Sequence, residues 1–227
     1  MPKFECRICG KELLRDEVRA ECSYCGESEG AHYICPSGHY VCERCRKASA
    51  ADLVIATCAG TRLKDPVEIA NLLMSHTSFP EYGMEHHLIV AAAMLAALRN
   101  NGRAGISKRD VETAVRRMAA VPDRACGEFG GCGACLSVGC LVSILLKATP
   151  VSDRERSDSL RASARALERV AELGGPRCCK QSVYASIEAA CGILSAHSDV
   201  NLREGQIRCA FARRTSHCKG ERCPYHG

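Results

Sequence analysis

CGEFGGCGACLSVGC, residues 126–140, is the stretch on which we expect the chemistry of the chain to depend. It holds four cysteines and five glycines, and a mostly apolar run, residues 141–146, follows it. Glycines allow a backbone to approach a ligand closely. Thiolates bind soft metals or exchange disulfides, and a helix N-terminus lowers their pKa. The stretch therefore predicts a reactive or cluster-binding centre at the start of a buried helix.

The composition favours a metal-binding protein over a secreted disulfide protein. Eighteen of the 227 residues are cysteine, and the first residues lack the apolar segment of a signal peptide. Repeated C-x-x-C pairs favour metal over disulfides, so we expect a reducing, cytoplasmic compartment. No apolar run reaches the ~18 residues of a membrane span. The net charge of +5 is too small to indicate nucleic-acid binding.

Residues 1–50 are predicted to form a zinc module of the zinc-ribbon or treble-clef type. Four ligand pairs follow one another, which is the number that two tetrahedral zinc ions require. Sequential pairing joins the first pair to the second, and interleaved pairing joins the first to the third, as in RING fingers. RING fingers continue with two more cysteines, whereas only Cys58 follows here, so we favour sequential pairing. The predicted ligands are Cys6, Cys9, Cys22, Cys25, Cys35, His39, Cys42 and Cys45.

Residues 51–200 are predicted to form a helical domain, because their apolar residues recur with helical periodicity. Asp65-Pro66 is a helix start, and Ser107 with Asp110 resembles a capping box. Further helices are expected near 85–98, 158–173 and 181–194. The fold class is therefore mostly α, with the zinc module before the helices and a cysteine-rich basic tail, residues 201–227, after them.

Glu85-His86-His87 is predicted to open the helix that ends near Leu98. Adjacent helical side chains point about 100° apart, so we expect only one histidine to face the core. That histidine is either hydrogen-bonded in the first turn, or a ligand or proton carrier beside the cysteine-rich loops.

Five thiols of the helical domain are predicted cofactor-binding or redox residues. Glycines lie within two residues of each of Cys126, Cys132 and Cys135. Cys178 and Cys179 also precede a helix, beside basic residues that favour thiolate. These neighbours cannot easily bind one small ion together, so they either form a strained disulfide or only one of them binds. We expect the five thiols to converge on an iron–sulfur cluster or a redox thiol centre.

The tail holds three more predicted cofactor-binding residues, Cys209, Cys218 and Cys223. They either close over the centre of the helical domain or hold a second site, which would be a cluster or a further zinc ion. A fourth ligand would come from Cys178, His217, His226 or a cysteine elsewhere.

The order of these motifs resembles an uncharacterised cysteine-rich family of methanogenic archaea and other anaerobes, sometimes linked to radical-SAM proteins. The residues that carry the likeness are Cys35-Pro-Ser-Gly-His39-Tyr-Val-Cys42-Glu-Arg-Cys45, Glu85-His86-His87, Phe129-Gly-Gly-Cys132-Gly-Ala-Cys135, Gly174-Gly-Pro-Arg-Cys178-Cys179 and Cys223-Pro. The resemblance implies an anaerobic cytoplasm and a radical-SAM enzyme as partner. It implies no substrate and no catalytic residues.

Three functions fit the sequence. The first is a metal-dependent or thiol redox enzyme, or an accessory to one, and it is the function that we favour. The second is a zinc-stabilised interaction module that docks a protein or nucleic-acid partner. The third is a structural metalloprotein, whose cysteines serve folding alone. The sequence does not decide whether the chain is an enzyme.

Overall fold

The computed structural model describes residues 4–195, 202, 205–212 and 215–227, and in these the chain is mostly helical. Two strands, β1 (Leu14–Glu21) and β2 (Ser28–Ile34), pair as an antiparallel hairpin in the N-terminal module. The helices are α1 (Glu43–Arg46), α2 (Ala50–Gly60), α3 (Pro66–Met74), α4 (Ile89–Asn100), α5 (Lys108–Ala119), α6 (Ala125–Glu128), α7 (Gly133–Leu145), α8 (Arg154–Leu173) and α9 (Cys179–Ser195). Short 3-10 helices span Met84–Leu88 and Gly220–Arg222.

Two predicted helix starts, those of α3 and α5, are confirmed by their caps. The Asp65 side chain accepts a hydrogen bond from the Val67 N–H at 2.7 Å at the start of α3. At α5, an oxygen of the Asp110 carboxylate accepts from the Ser107 N–H at 2.8 Å, which completes the capping box. Helix α8 begins four residues before the predicted start at Asp158. Its first turn is charged rather than apolar, so apolar periodicity does not reveal it.

Helix α4 is the centre of the fold. Every side chain from Ile89 to Leu98 is fully buried, and helices α2, α3, α5, α7 and α9 pack around it. Helix α7 also lies close against α8 at Gly139. A Cβ atom at Gly139 would stand 2.8 Å from the Ser159 carbonyl oxygen, so only glycine fits this crossing without a backbone shift. No described helix is both long and apolar enough to cross a bilayer.

The prediction for the paired histidines is wrong in two respects. Residues 84–88 form a 3-10 helix, and α4 begins only at Ile89. Both side chains are buried, with 1% of His86 and 9% of His87 exposed. The 3-10 helix is enclosed on several sides by α2, α5, α7 and α9, so neighbouring side chains can point in different directions and still meet protein.

Aromatic residues attach the module and the tail to the helices. The Tyr24 ring from the module is buried against the edge of His76, and its hydroxyl lies 3.2 Å from Ser75 Oγ at the end of α3. Tyr225 from the tail packs against Tyr184 of α9, with ring centroids 5.7 Å apart. The domain boundaries at 50 and 200 stay predictions, and the second lies outside the described residues.

Candidate metal centres and thiol sites

The eight predicted ligands of the module form two compact groups. Within each group, all ligand atoms lie within 4.8 Å of one another. One sulfur–sulfur distance in each group illustrates the spacing. Cys9 Sγ lies 3.4 Å from Cys35 Sγ, and Cys25 Sγ lies 3.8 Å from Cys42 Sγ. Sulfurs bound to one tetrahedral zinc ion at ~2.3 Å stand about 3.8 Å apart. The two groups therefore fit single metal ions, with donor sets of three cysteines and a histidine (Cys6, Cys9, Cys35, His39) and of four cysteines (Cys22, Cys25, Cys42, Cys45).

The pairing is interleaved, so the sequential pairing that we favoured is wrong. The β1–β2 hairpin is the physical reason. Because Leu14 is paired with Ile34, the chain just before β1 lies beside the chain just after β2, and the first ligand pair meets the third. The second pair lies at the hairpin turn, where the returning chain reaches it through a 2.8 Å bond from the Ser23 N–H to the Tyr40 carbonyl.

Backbone N–H groups orient several of these sulfurs. Cys42 caps α1, where its Sγ accepts from the Cys45 N–H at 3.4 Å. Cys35 Sγ accepts from the Ser37 N–H at 3.3 Å, and Cys22 Sγ from the Cys42 N–H at 3.4 Å. Donors of this kind stabilise a thiolate, which is the form that binds metal.

A different arrangement of thiols lies at the N-terminus of α7. Cys132 is the N-cap residue and is partly exposed, whereas Cys135 follows one turn later and is fully buried. A hydrogen bond from the Cys135 thiol, helped by backbone N–H groups of the first turn, lowers the pKa of Cys132 to about 6. The same interaction, together with burial, raises the pKa of Cys135. The pair thus consists of an accessible thiolate and a protonated neighbour.

The Cys135 thiol can donate to either of two acceptors, the Cys132 sulfur and the Ala166 carbonyl oxygen. Its Sγ lies 3.3 Å from the Ala166 carbonyl oxygen, and the Ser186 hydroxyl donates to it at 3.6 Å. Hydrogen bonds to an ionised partner are the stronger ones. Donation to Cys132 therefore dominates once Cys132 is a thiolate, and donation to Ala166 once Cys132 is protonated.

The predicted cofactor-binding thiols lie in separate places. Cys126 is exposed on α6. Cys179 accepts a hydrogen bond from Arg177 Nε at 3.4 Å, and the same guanidinium pairs with Asp123 near α6. Cys178 instead lines a cavity between α9 and the tail. Among the described residues, no three of these thiols come within single-ion distance, so their role in cofactor binding stays a prediction.

The cavity beside Cys178 brings the tail cysteines together. Its lining includes the four cysteines Cys178, Cys209, Cys218 and Cys223. Gln181 Nε2 donates to Cys223 Sγ at 3.3 Å, and the Phe211 N–H donates to Cys209 Sγ at 3.4 Å. Two of the residues considered as a fourth ligand beside the three tail cysteines, Cys178 and His226, line this cavity.

Three polar atoms of the 3-10 helix are buried without a hydrogen-bond partner among the described residues: Glu85 Oε2, His86 Nε2 and His87 Nδ1. Burial lowers the pKa of His86 to about 3 and also lowers that of His87, so both rings are neutral at neutral pH. The His87 ring lies over Gly133, where an added Cβ would stand 2.2 Å from it. A neutral imidazole therefore contacts the N-terminus of α7.

Sequence reasoning missed the residues that surround the sulfurs. Gln181, Lys180 and Ser186 all come from α9 and contact thiols or line the cavity. Gln181 lies three residues after Cys178, where a helix N-cap and its first turn interact. That spacing was the one available signal, whereas the contact between Ser186 and α7 depends on tertiary packing.

Comparison with known proteins gives a family and no solved relative. No curated protein matches the chain, and no solved structure matches it. A family model does match residues 54–226. The match covers most of α2, all of α3 to α9 and nearly all of the tail. It does not include the eight candidate metal ligands of the module. The organisms and the radical-SAM link implied by the resemblance stay predictions. The chain belongs to the family of unknown function DUF5714.

Proposed function

We propose that the chain is a thiol redox protein, built on a zinc-stabilised scaffold, in which Cys132 and Cys135 are the reactive pair. One observation carries the proposal: a partly exposed N-cap thiol, Cys132, whose pKa is lowered to about 6, precedes the buried thiol of Cys135 by one helical turn. Helix N-termini of this kind, with a C-x-x-C pair, are where thiol–disulfide exchange occurs in proteins.

The chemistry follows from the two pKa values. The Cys132 thiolate attacks one sulfur of a substrate disulfide, forms a mixed disulfide and releases the other substrate sulfur as a thiolate. Cys135 then loses its proton, attacks Cys132 and releases the second substrate thiolate. The substrate disulfide gains two electrons, and the protein is left with a Cys132–Cys135 disulfide. A dithiol reductant returns the pair to its reduced form by the reverse exchange.

The loop before α7 gives a partner access to Cys132. Phe129 is 74% exposed, which is high for an aromatic side chain. An added Cβ at Gly127 or Gly130 would meet no atom within 4 Å, so the surroundings are open. An exposed aromatic beside a reactive thiol suits a protein substrate, and a radical-SAM enzyme of an anaerobic cytoplasm is one such partner that we propose.

Zinc is the metal that we propose for the module. The donor sets of four cysteines and of three cysteines with one histidine are those of structural zinc sites, which are closed to solvent ligands. Zinc is redox-inactive, so it can hold the module together without entering the thiol exchange. This assigns stability to the N-terminal ligands and reactivity to α7.

A trapped mixed disulfide tests the thiol function. The variant Cys135→Ser cannot resolve the intermediate, so Cys132 should stay linked to a disulfide probe such as oxidised glutathione, as seen by intact mass. The wild type should release the probe and form its internal disulfide. Cys140→Ser, which alters another cysteine of the same helix, should behave as wild type. Equal adduct formation by Cys135→Ser and Cys132→Ser would contradict the proposal.

A docking module is the second candidate, because the module exposes an aromatic pair. Phe4 and Tyr33 are 52% and 42% exposed, and their rings lie 5.4 Å apart. If this pair binds a protein partner, the double substitution Phe4→Ser with Tyr33→Ser should abolish capture of a partner already identified with the wild type. Retained zinc would show that the module is intact, and undiminished capture would exclude the docking surface.

A further inference from the structure

The cavity between α9 and the tail is a second concentration of thiols, separate from the reactive pair. Cys178 immediately precedes α9, and the other three cysteines, Cys209, Cys218 and Cys223, belong to the tail. Cys132 and Cys135 do not line this cavity. In the part of the chain that the structure describes, these four cysteines surround one cavity without a disulfide between them, and such a grouping needs a reason other than packing.

The spacing of these thiols differs from that of the zinc ligands. In the module, four ligand atoms at a time lie within 4.8 Å of one another. In the part of the chain that the structure describes, no three of the cavity cysteines meet that distance. A single zinc ion requires sulfurs about 3.8 Å apart. An iron–sulfur cluster is held at separate iron atoms, so its cysteine sulfurs stand further from one another.

Hydrogen-bond donors are directed at the sulfurs of Cys178, Cys209 and Cys223. Besides the contacts of Cys209 and Cys223, the Gln181 N–H lies 3.5 Å from Cys178 Sγ. Lys219 Nζ donates to Gln181 Oε1 at 2.8 Å, which leaves the amide NH₂ group of Gln181 to face Cys223. Donors to sulfur stabilise thiolates and tune the reduction potential of a cluster.

Two lysines add positive charge at the same cavity. Lys180 is only 5% exposed, and its Nζ contacts the Glu81 carbonyl oxygen and the Phe211 ring. In the described residues no close ion pair holds Lys180 or Lys219, and the Glu81 carboxylate gives Lys180 only a longer-range attraction. A buried cation is costly unless an anion compensates it. A cluster with four thiolate ligands carries net negative charge and would supply that anion.

We propose that Cys178, Cys209, Cys218 and Cys223 ligate an iron–sulfur cluster, and that Gln181, Lys180 and Lys219 stabilise its charge. The cavity measures about 20 Å³ and holds little more than one water molecule. Binding therefore requires thiol side chains or the tail to move outward. The grouping of four cysteines is stronger evidence for a cluster than the small cavity volume is against it. Rotation of side chains can enlarge the cavity, whereas the backbone positions from which the four thiols reach it stay the same.

Metal and sulfide analysis tests this site. The full chain would be purified without oxygen and reconstituted with iron and sulfide. The wild type should hold about four iron and four sulfide per chain, beside two zinc ions, with visible absorption that dithionite bleaches. Cys218→Ser and Cys223→Ser should lose most of the iron and the absorption but keep zinc and helical circular dichroism.

Two matched controls separate this site from the reactive pair. Cys191→Ser changes a cysteine of α9 that does not line the cavity, and Cys132→Ser removes the reactive thiol; both should keep wild-type iron. A third zinc ion without sulfide in the wild type would overturn the proposal, as would unchanged iron in the tail variants. Iron lost in Cys132→Ser would also overturn it, because the cluster would then lie at α7. Iron bound by the wild type, together with no trapped mixed disulfide in Cys135→Ser, would refute the thiol function alone.

Discussion

Cys132 shows how much one helix end and one neighbour can change a side chain. Its thiol lies at the first turn of α7, where backbone N–H groups are unpaired, and it accepts a hydrogen bond from Cys135. Both interactions favour the thiolate, and they outweigh the burial that opposes it. At neutral pH, Cys132 is therefore a nucleophile, whereas an ordinary cysteine with a pKa of ~8.5 is mostly protonated.

Alkylation kinetics should report this shift directly. The rate of Cys132 modification by iodoacetamide, measured by peptide mass, should rise with a midpoint near pH 6. In Cys135→Ala the donor is absent, so the midpoint should move toward ~8.5. Cys140→Ala should leave the midpoint unchanged. A wild-type midpoint equal to that of Cys135→Ala would show that the hydrogen bond does not stabilise the thiolate.

The same shift links stability to pH, with a defined sign. The pKa of Cys132 is lower in the folded chain than in the unfolded chain, so ionisation stabilises the fold above the unfolded pKa. This contribution falls as the pH drops through the folded value of about 6. The stability difference between the reduced wild type and Cys132→Ser should accordingly shrink between pH ~8.5 and pH ~6.

At the level of elements, local signals predicted the helices but not their mutual contacts. The caps of α3 and α5 are read from Asp65 and Ser107 with Asp110, because a cap depends on residues a few positions apart. The candidate metal ligands of the module are likewise local pairs. Their pairing is not, because it depends on the register of β1 against β2, which no C-x-x-C spacing encodes.

The thiols of the helical domain illustrate the same limit. The sequence placed Cys178 and Cys179 at a helix start, and both lie there. Neighbouring side chains on a helix point in different directions. Cys178 accordingly lines the cavity with the tail, whereas Cys179 meets Arg177. The expectation of five converging thiols took no account of this divergence, and only the packing of α9 shows it.

Cadmium NMR should decide the pairing in the module. In protein loaded with ¹¹³Cd, the ion coupled to His39 should also couple to the β-protons of Cys6, Cys9 and Cys35. Sequential pairing would couple that ion to Cys42 and Cys45. Donor counts alone cannot discriminate, because both pairings give one site with a histidine and one with four cysteines. A correlation from the His39 ion to Cys42 would refute the interleaved arrangement.

At the scale of the whole molecule, the aromatic side chain of Tyr225 contributes to holding the tail against α9. Tyr225 is 2% exposed, packs against Tyr184, and donates from its hydroxyl to Glu188 at 2.8 Å. Glu188 in turn pairs with Arg169 of α8 at 3.0 Å. The Cys209 N–H also donates to the Tyr225 carbonyl, so this bond joins the earlier part of the described tail to its last residues. Tyr225 thereby closes the cavity that the cysteines line.

Substitution of Tyr225 should release the tail and leave the helices folded. Tyr225→Phe removes one hydrogen bond and should cost about 1 kcal/mol of unfolding free energy, whereas Tyr225→Ala also removes the ring and should cost about 3–5 kcal/mol. Because the freed tail exposes its basic residues, trypsin should cleave Tyr225→Ala faster after Arg208 and Lys219. Tyr33→Ala, at an exposed tyrosine, should change stability by no more than about 0.5 kcal/mol. If Tyr225→Ala resists trypsin as well as Tyr33→Ala does, contacts other than this ring hold the tail against α9.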